Sequence, residues 1–273
     1  MLNARNRGSS THFFVVGGIE PQQECLYICS SFYGSDIADA HLLSGTLPTG
    51  LLVHMPTSHD SRTFFLDGPA GRLESILWTP VRSAAPTLAA VVCHPHPLFG
   101  GTLHNKVVYQ AAKSLDAAGV PTLRFNFRGA GLSAGVHDKG RGEQGDVRAA
   151  LNFLAAKFPG IPLLAAGFSF GSWVGLRVGC ADPRVEELIG MGTSVNVSDF
   201  SFLRECAKPK LFVLGANDEF GARKDVESLV PELPGENRLV VVENADHFFS
   251  GHLDELDNAI TTWLLERHPE LST

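Results

Sequence analysis

The sequence predicts an α/β fold, a mostly parallel sheet with helices on both faces and no substantial cap. Three observations carry that expectation. From about Thr63 onward, apolar runs alternate with stretches whose apolar residues recur at helical spacing. The connections between them are short, as βαβ crossovers require. Several of the runs are continuously apolar instead of alternating, which marks strands buried on both faces.

Taken in chain order, "RLESILWTP" alternates like a strand and is closed by Pro80, and "TLAAVVCHP" is a buried strand. "NKVVYQAAKSLDAAG" reads as a helix with Val107, Ala111, Leu115 and Ala118 near one face and Gly119 as its stop. "PTLRFNF" is a strand, and "GEQGDVRAALNFLAAKF" a helix with apolar spacing from Val147 to Phe158. "IPLLAAGF" is a strand running into the helix "GSWVGLRVG", and "VEELIGMG", "KPKLFVLGA" and "NRLVVVENA" are three further strands. "LDELDNAITTWLLERH" closes the chain as a helix with Leu253, Leu256, Ile260, Trp263 and Leu264 on one side.

Residues 1–60 sustain no period of 2 or 3.6. They are expected to be an N-terminal extension of unreadable role, an appended segment, a partly disordered arm or an upstream reading-frame extension, joined to a 61–273 catalytic domain. The run "FFVVGGI" is short for the apolar part of a secretory signal and no A-x-A site follows it, so no signal is expected. No apolar run reaches the roughly 18–20 residues of a membrane helix. A net charge of -7 and the absence of a Lys/Arg block argue against a nucleic-acid partner. The five cysteines (Cys25, Cys29, Cys93, Cys180, Cys206) form neither a disulfide framework nor a paired zinc motif, and buried thiols in a reducing, cytoplasmic compartment are expected. Composition does not give the oligomeric state.

In a parallel sheet the chemistry sits beyond the carboxyl ends of the strands. There, "GFSFGS" sets Ser169 between Gly167 and Gly171 at a strand-to-helix junction, a G-x-S-x-G nucleophile elbow. The serine is expected to be strained, the flanking glycines to remove side chains that would strike nearby backbone, and the Phe170 N–H to face an oxyanion. A hydroxyl needs a base. His247 follows the last strand, and Asp218 follows the strand before it, with Glu219 as the second choice of carboxylate. Asp246 adjoins His247 and is expected to diverge from the imidazole.

The second oxyanion donor is expected in "HPHPLFGGTLHNKVV". Pro95 and Pro97 have no N–H, which leaves His96 first and Leu98 second, with Gly100 and Gly101 letting the loop approach the serine. His94, His96 and His104 invite a metal, but no carboxylate accompanies them and no metal is expected. "RGAGLSAG" imitates a dinucleotide fingerprint, yet the next helix opens too late, so no cofactor is expected and the segment reads as a loop shaping the site. Asp146 is expected to favour the dipole of its helix, and Asn105 and Lys106 to be structural. Phe99, Phe168, Phe170, Phe248 and Phe249 are divided between a substrate pocket and the core.

The order and spacing of "HPHPLFGGTLHNKVV", "RFNFRGAGLSAGVHDKGRGEQGDVRAAL", "GFSFGS", "GANDEF" and "ADHFFSGHL" resemble the small, lid-poor α/β-hydrolases close to the dienelactone hydrolase group, over residues 63–268. The resemblance implies an α/β-hydrolase fold with Ser169 as nucleophile, Asp218 as orienting acid and His247 as base, in the chain order that superfamily uses. Dienelactone hydrolases proper carry a cysteine nucleophile. The serine here favours general ester hydrolysis over that one lactone reaction, and the substrates expected are small to medium, including xenobiotic, esters. The connection from Gly192 to Lys208 is too short for a substantial cap. A thioesterase, acyltransferase or small-peptide hydrolase with the same triad is one alternative, and a non-catalytic binding protein of this fold is another.

Overall fold

The computed structural model describes residues 59–81 and 85–272. The readings that concern 1–58, including Cys25 and Cys29, lie outside the described residues. Eight strands form one sheet in the order β1-β2-β4-β3-β5-β6-β7-β8. They are β1 (His59–Gly68), β2 (Gly71–Pro80), β3 (Ala89–Cys93), β4 (Thr122–Phe125), β5 (Leu163–Phe168), β6 (Val185–Met191), β7 (Lys210–Gly215) and β8 (Asn237–Val242). The hairpin β1–β2 and the pair β2–β4 are antiparallel, and every pairing from β4 through β8 is parallel.

The helices are α1 (Lys106–Ala117), α2 (Arg141–Lys157), α3 (Phe170–Ala181), α4 (Arg223–Leu229) and α5 (Leu253–Arg267). Alternation along the strands splits the core in two. Ala90, Val92, Leu164 and Ala166 pack with α1 and α5, whereas Val91, Leu123, Ala165 and Leu188 pack with α2, α3 and α4. Side chains point alternately to the two faces, so β3 and β5 read as unbroken apolar runs although each face sees only every second residue. The chain leaves β3 towards β4 and then returns past β3 to β5, which makes the β3/β5 boundary the point where strand order reverses. Open sheets of this kind bind ligands at such a point.

Two elements were not legible in the sequence. Strand β1 begins at His59, two residues inside the range read as extension, and of its side chains only Leu66 is buried. An edge strand facing mostly water needs no alternation to mark it. Helix α4 is seven residues long, buries only Val226 and has no side-chain cap. Asp146 also corrects the expectation. α2 opens at Arg141, so Asp146 lies past the first turn, and Glu143 is the acid placed there. Asp146 is instead fully buried and pairs with Arg128 at 2.7 Å.

Candidate active site

Ser169 is the first residue past β5, and its backbone stands at φ 55, ψ -119. For a residue with a side chain this is a sparsely populated conformation that costs about 1–3 kcal/mol. The surroundings enforce it. The Ser169 amide is tied to the Met191 carbonyl of β6 at 2.9 Å, while its own carbonyl already receives the Ser172 amide of α3 at 2.9 Å. A β-carbon on Gly167 would run into the Gly171 carbonyl, and one on Gly171 into the carbonyls of Cys93 and His94. Both glycines are needed for the close passage of backbone past backbone. Ser169 caps α3 with no side-chain hydrogen bond, so its hydroxyl is left for the cleft above it.

That cleft measures about 220 Å³ and is lined by Ser169, His247, His96, Phe170, Phe220 and Phe248, among others. His247 Nδ1 meets Asp218 Oδ2 at 2.7 Å, with both side chains nearly buried. The other Asp218 oxygen accepts the amides of Phe220 at 2.8 Å and Gly221 at 3.0 Å. A carboxylate only accepts, so Nδ1 carries the proton and Nε2 of the imidazole keeps a free lone pair. The ring is held by Phe168, Phe220 and Phe248 at centroid distances of 4.9, 4.7 and 5.1 Å. Beneath it lies Gly192, at φ 50, where a β-carbon would come within 3.1 Å of the imidazole.

Asp218, not Glu219, therefore meets the histidine. Asp246 turns away, as its carboxylate accepts the amides of Ser250 at 2.9 Å and Phe248 at 3.0 Å. Those bonds, the Ser250 amide foremost, hold its carboxyl below the usual range. Lys106 Nζ reaches Ser250 Oγ at 2.8 Å and ties α1 to the same loop.

The loop after β3 separates the two proposed oxyanion donors. The Leu98 amide donates to His96 Nδ1 at 3.2 Å, whereas among the described residues the His96 amide has no acceptor. Burial, followed by the proximity of His137, lowers the His96 pKa below its ordinary value. The two glycines of this loop line the cleft together with Ser169. Gly100 takes φ 79 and Gly101 is pressed on the Pro95 carbonyl, so both serve the loop's own turn. His94 is spent internally, with Nδ1 on the Pro95 carbonyl at 2.6 Å and Nε2 accepting the Phe127 amide at 2.9 Å. The dinucleotide-like segment closes on the hairpin, its Ala134 amide bonded to the Arg72 carbonyl at 2.8 Å. It also brings His137 against His96 at 4.6 Å.

Phe99, Phe170 and Phe248 line the cleft, while Phe168 and Phe249 are fully buried core. Sequence reasoning missed Phe220 and Gly192. Position just after the Asp218 and β6 turns was the only signal for either. A larger cleft of about 520 Å³ lies alongside, lined by Asn196, Asp199, Arg204 and Glu232, and contains neither Ser169 nor His247.

No protein-family model matches the chain. A protein of Xanthomonas campestris described as an α/β serine hydrolase without lid is 36% identical, with a TM-score of 0.71 over 76% of this chain and 94% of that one. The chain belongs to the lid-less α/β serine hydrolases. A second member, an α/β serine hydrolase homologue from Coxiella burnetii, is 37% identical over 74% of this chain and 97% of its own, with a TM-score of 0.70. An uncharacterized protein of Rickettsia prowazekii is 37% identical over 210 residues, covering 74% of this chain and 87% of its own. As in a lid-less hydrolase, the connection 192–209 holds only the short helix Ser201–Glu205 in place of a cap. Among the described residues, no helix is long and apolar enough to cross a membrane.

Proposed function

We propose that this protein is a carboxylic-ester hydrolase that works through an acyl-enzyme on Ser169. The observation that carries the reading is a strained serine in one cleft with an imidazole whose far nitrogen is locked on a buried carboxylate. In the proposed reaction His247 Nε2 takes the Ser169 proton as Oγ attacks the ester carbonyl. Asp218 stabilises the imidazolium without being protonated. The first-turn amide of Phe170 and the His96 amide receive the tetrahedral oxyanion, each such donor contributing about 2.7–4 kcal/mol. The imidazolium then gives its proton to the leaving alcohol, and a water activated by the same nitrogen releases the acid. The cleft walls of Phe99, Phe170, Val197, Phe220 and Phe248 favour small to medium esters with an apolar acyl or alcohol part.

Turnover of short-chain p-nitrophenyl esters tests the assignment. Ser169→Ala is expected to lose nearly all activity, by roughly the 10⁶-fold seen when a serine nucleophile is removed. Fluorophosphonate is expected to label Ser169 alone. An alanine variant that keeps most of its activity, or a label on another residue, overturns it. Parallel ester, thioester and amide substrates report which acyl bond is cleaved fastest, and faster cleavage of a thioester or amide overturns the ester assignment.

A further inference from the structure

At the amino-terminal end of the strands, opposite Ser169, the last turn of α3 meets the segment that leads from the helix Ser201–Glu205 into β7. Cys180 sits in that turn of α3, and Cys206 closes the helix Ser201–Glu205 at the start of that segment. Both line a surface cleft of about 480 Å³ together with Pro183, Glu186, Glu205 and Lys208. Neither forms a disulfide.

Two lysines hold the cysteines in place. Lys208 Nζ donates to the carbonyls of Gly179 at 2.7 Å and Asp182 at 2.5 Å, on either side of Cys180. Lys210 Nζ donates to the carbonyls of Cys206 at 2.5 Å, Lys208 at 2.7 Å and Pro234 at 3.0 Å. Three acceptors match the three N–H donors of an ammonium, so Lys210 is a fixed cation beside Cys206. The neighbouring Cys180 thiol first, then the Lys208 amide and the two ammoniums, pull the Cys206 thiol below its ordinary range against the effect of burial. A thiol beside lysine ammoniums, with a second thiol lining the same cleft, is the arrangement of a reactive pair. Glu186 and Glu205 on the cleft walls disfavour an anionic oxidant.

We propose that Cys180 and Cys206 are a redox-active dithiol, a modification site that reacts with an uncharged hydroperoxide and closes to an intramolecular disulfide. The Cys206 thiolate attacks the peroxide oxygen. An S–O bond forms, the O–O bond breaks, and the departing oxygen takes a proton, leaving a sulfenic acid. The Cys180 sulfur then attacks the Cys206 sulfur. The S–S bond forms, the S–O bond breaks, and hydroxide leaves as water with the Cys180 proton. Two thiols and one hydroperoxide give one disulfide, one alcohol (or water) and one water. A small dithiol reverses it.

The test uses the full chain, reduced, exposed to hydrogen peroxide, alkylated and mapped by mass spectrometry. The expected product is a Cys180–Cys206 linked peptide lighter by two hydrogens, restored to two thiols by dithiothreitol. In Cys180→Ser, checked for folding by circular dichroism, dimedone is expected to trap a sulfenic acid on Cys206. The proposal is overturned if both thiols stay reduced, if Cys206 proceeds to a sulfinic acid in the unaltered chain, if the disulfide pairs either cysteine with Cys25, Cys29 or Cys93, or if the folded serine variant gives no dimedone adduct. No readout depends on ester hydrolysis.

Discussion

Replacing Ser169 with glycine separates the strain of the elbow from its chemistry. At φ 55, ψ -119 the serine makes no side-chain cap bond, so removing its hydroxyl breaks no hydrogen bond within the fold. The strain is about 1–3 kcal/mol, and glycine relieves most of it. Against this stands the greater backbone freedom of glycine in the unfolded chain, about 0.5–1 kcal/mol. The net is a stabilisation of up to about 2.5 kcal/mol in Ser169→Gly, about 1 kcal/mol at the middle of the range. Ser169→Ala keeps a β-carbon, and hence the strain, and is expected to match the unaltered protein. Urea unfolding at 25 °C followed by fluorescence reads the difference. With a slope of about 2–3 kcal/mol/M, the glycine midpoint should lie roughly 0.5 M above that of alanine. Both variants are expected to lose activity, so stability is the property that distinguishes them. If Ser169→Gly proved no more stable than Ser169→Ala, the elbow would carry no stored strain.

Gly171→Ala forces a β-carbon into the Cys93 carbonyl, whereas at Gly175 the nearest atom is the Cys93 sulfur at 3.1 Å. Gly171→Ala is therefore expected to lose about 1–3 kcal/mol, and clearly more than Gly175→Ala, by the same urea assay. His94 is fully buried, and burial lowers its pKa from 6.5 to about 4. Between those values the unfolded chain binds a proton that the folded chain refuses, so stability is whole above pH 6.5 and falls by about 3 kcal/mol as pH drops towards 4. His94→Gln should flatten that part of the urea midpoint against pH. Asn126→Ala strands the buried Leu103 amide, which donates to Asn126 Oδ1 at 2.7 Å; the cost is about 1–3 kcal/mol, and ester turnover should show kcat falling more than KM rises.

Legibility in the sequence followed burial. Strands β3, β5, β6 and β7 are covered on both faces, so their apolar runs announced them, and Gly119 at φ 89 ended α1 where a positive φ was needed. Strand β1 and helix α4 bury too little to leave a period. The serine was readable because the elbow is a local steric problem, solved within five residues. The choice of Asp218 over Glu219 was weaker in sequence, since adjacent carboxylates differ only in which way the turn throws them. Here the Phe220 and Gly221 amides capture one Asp218 oxygen and aim the other at His247. Gly192 beneath the imidazole and the meeting of Cys180 with Cys206 were invisible, because each depends on chain crossings that no local pattern encodes.

Without a cap, the loop carrying His96 has nothing pressing on it from above among the described residues, and Phe99 and Leu98 stand largely exposed. Its position must come from beneath. Leu103, fully buried, anchors the far end of the loop: its amide is held by Asn126 and its carbonyl accepts Arg124 Nη1 at 3.0 Å. Arg124 is itself clamped over the Trp78 ring at 4.1 Å. Asn126 Nδ2 donates to Glu74 Oε2 at 2.7 Å, and that oxygen also accepts the Leu132 amide at 2.8 Å. The polar links run from β2 through the loop after β4 to the loop after β3. The antiparallel strand β2 thus braces the cleft although it contributes no residue to it. A preorganised donor serves catalysis only if it need not move as charge develops, and in an open site that rigidity rests on the sheet side of the loop.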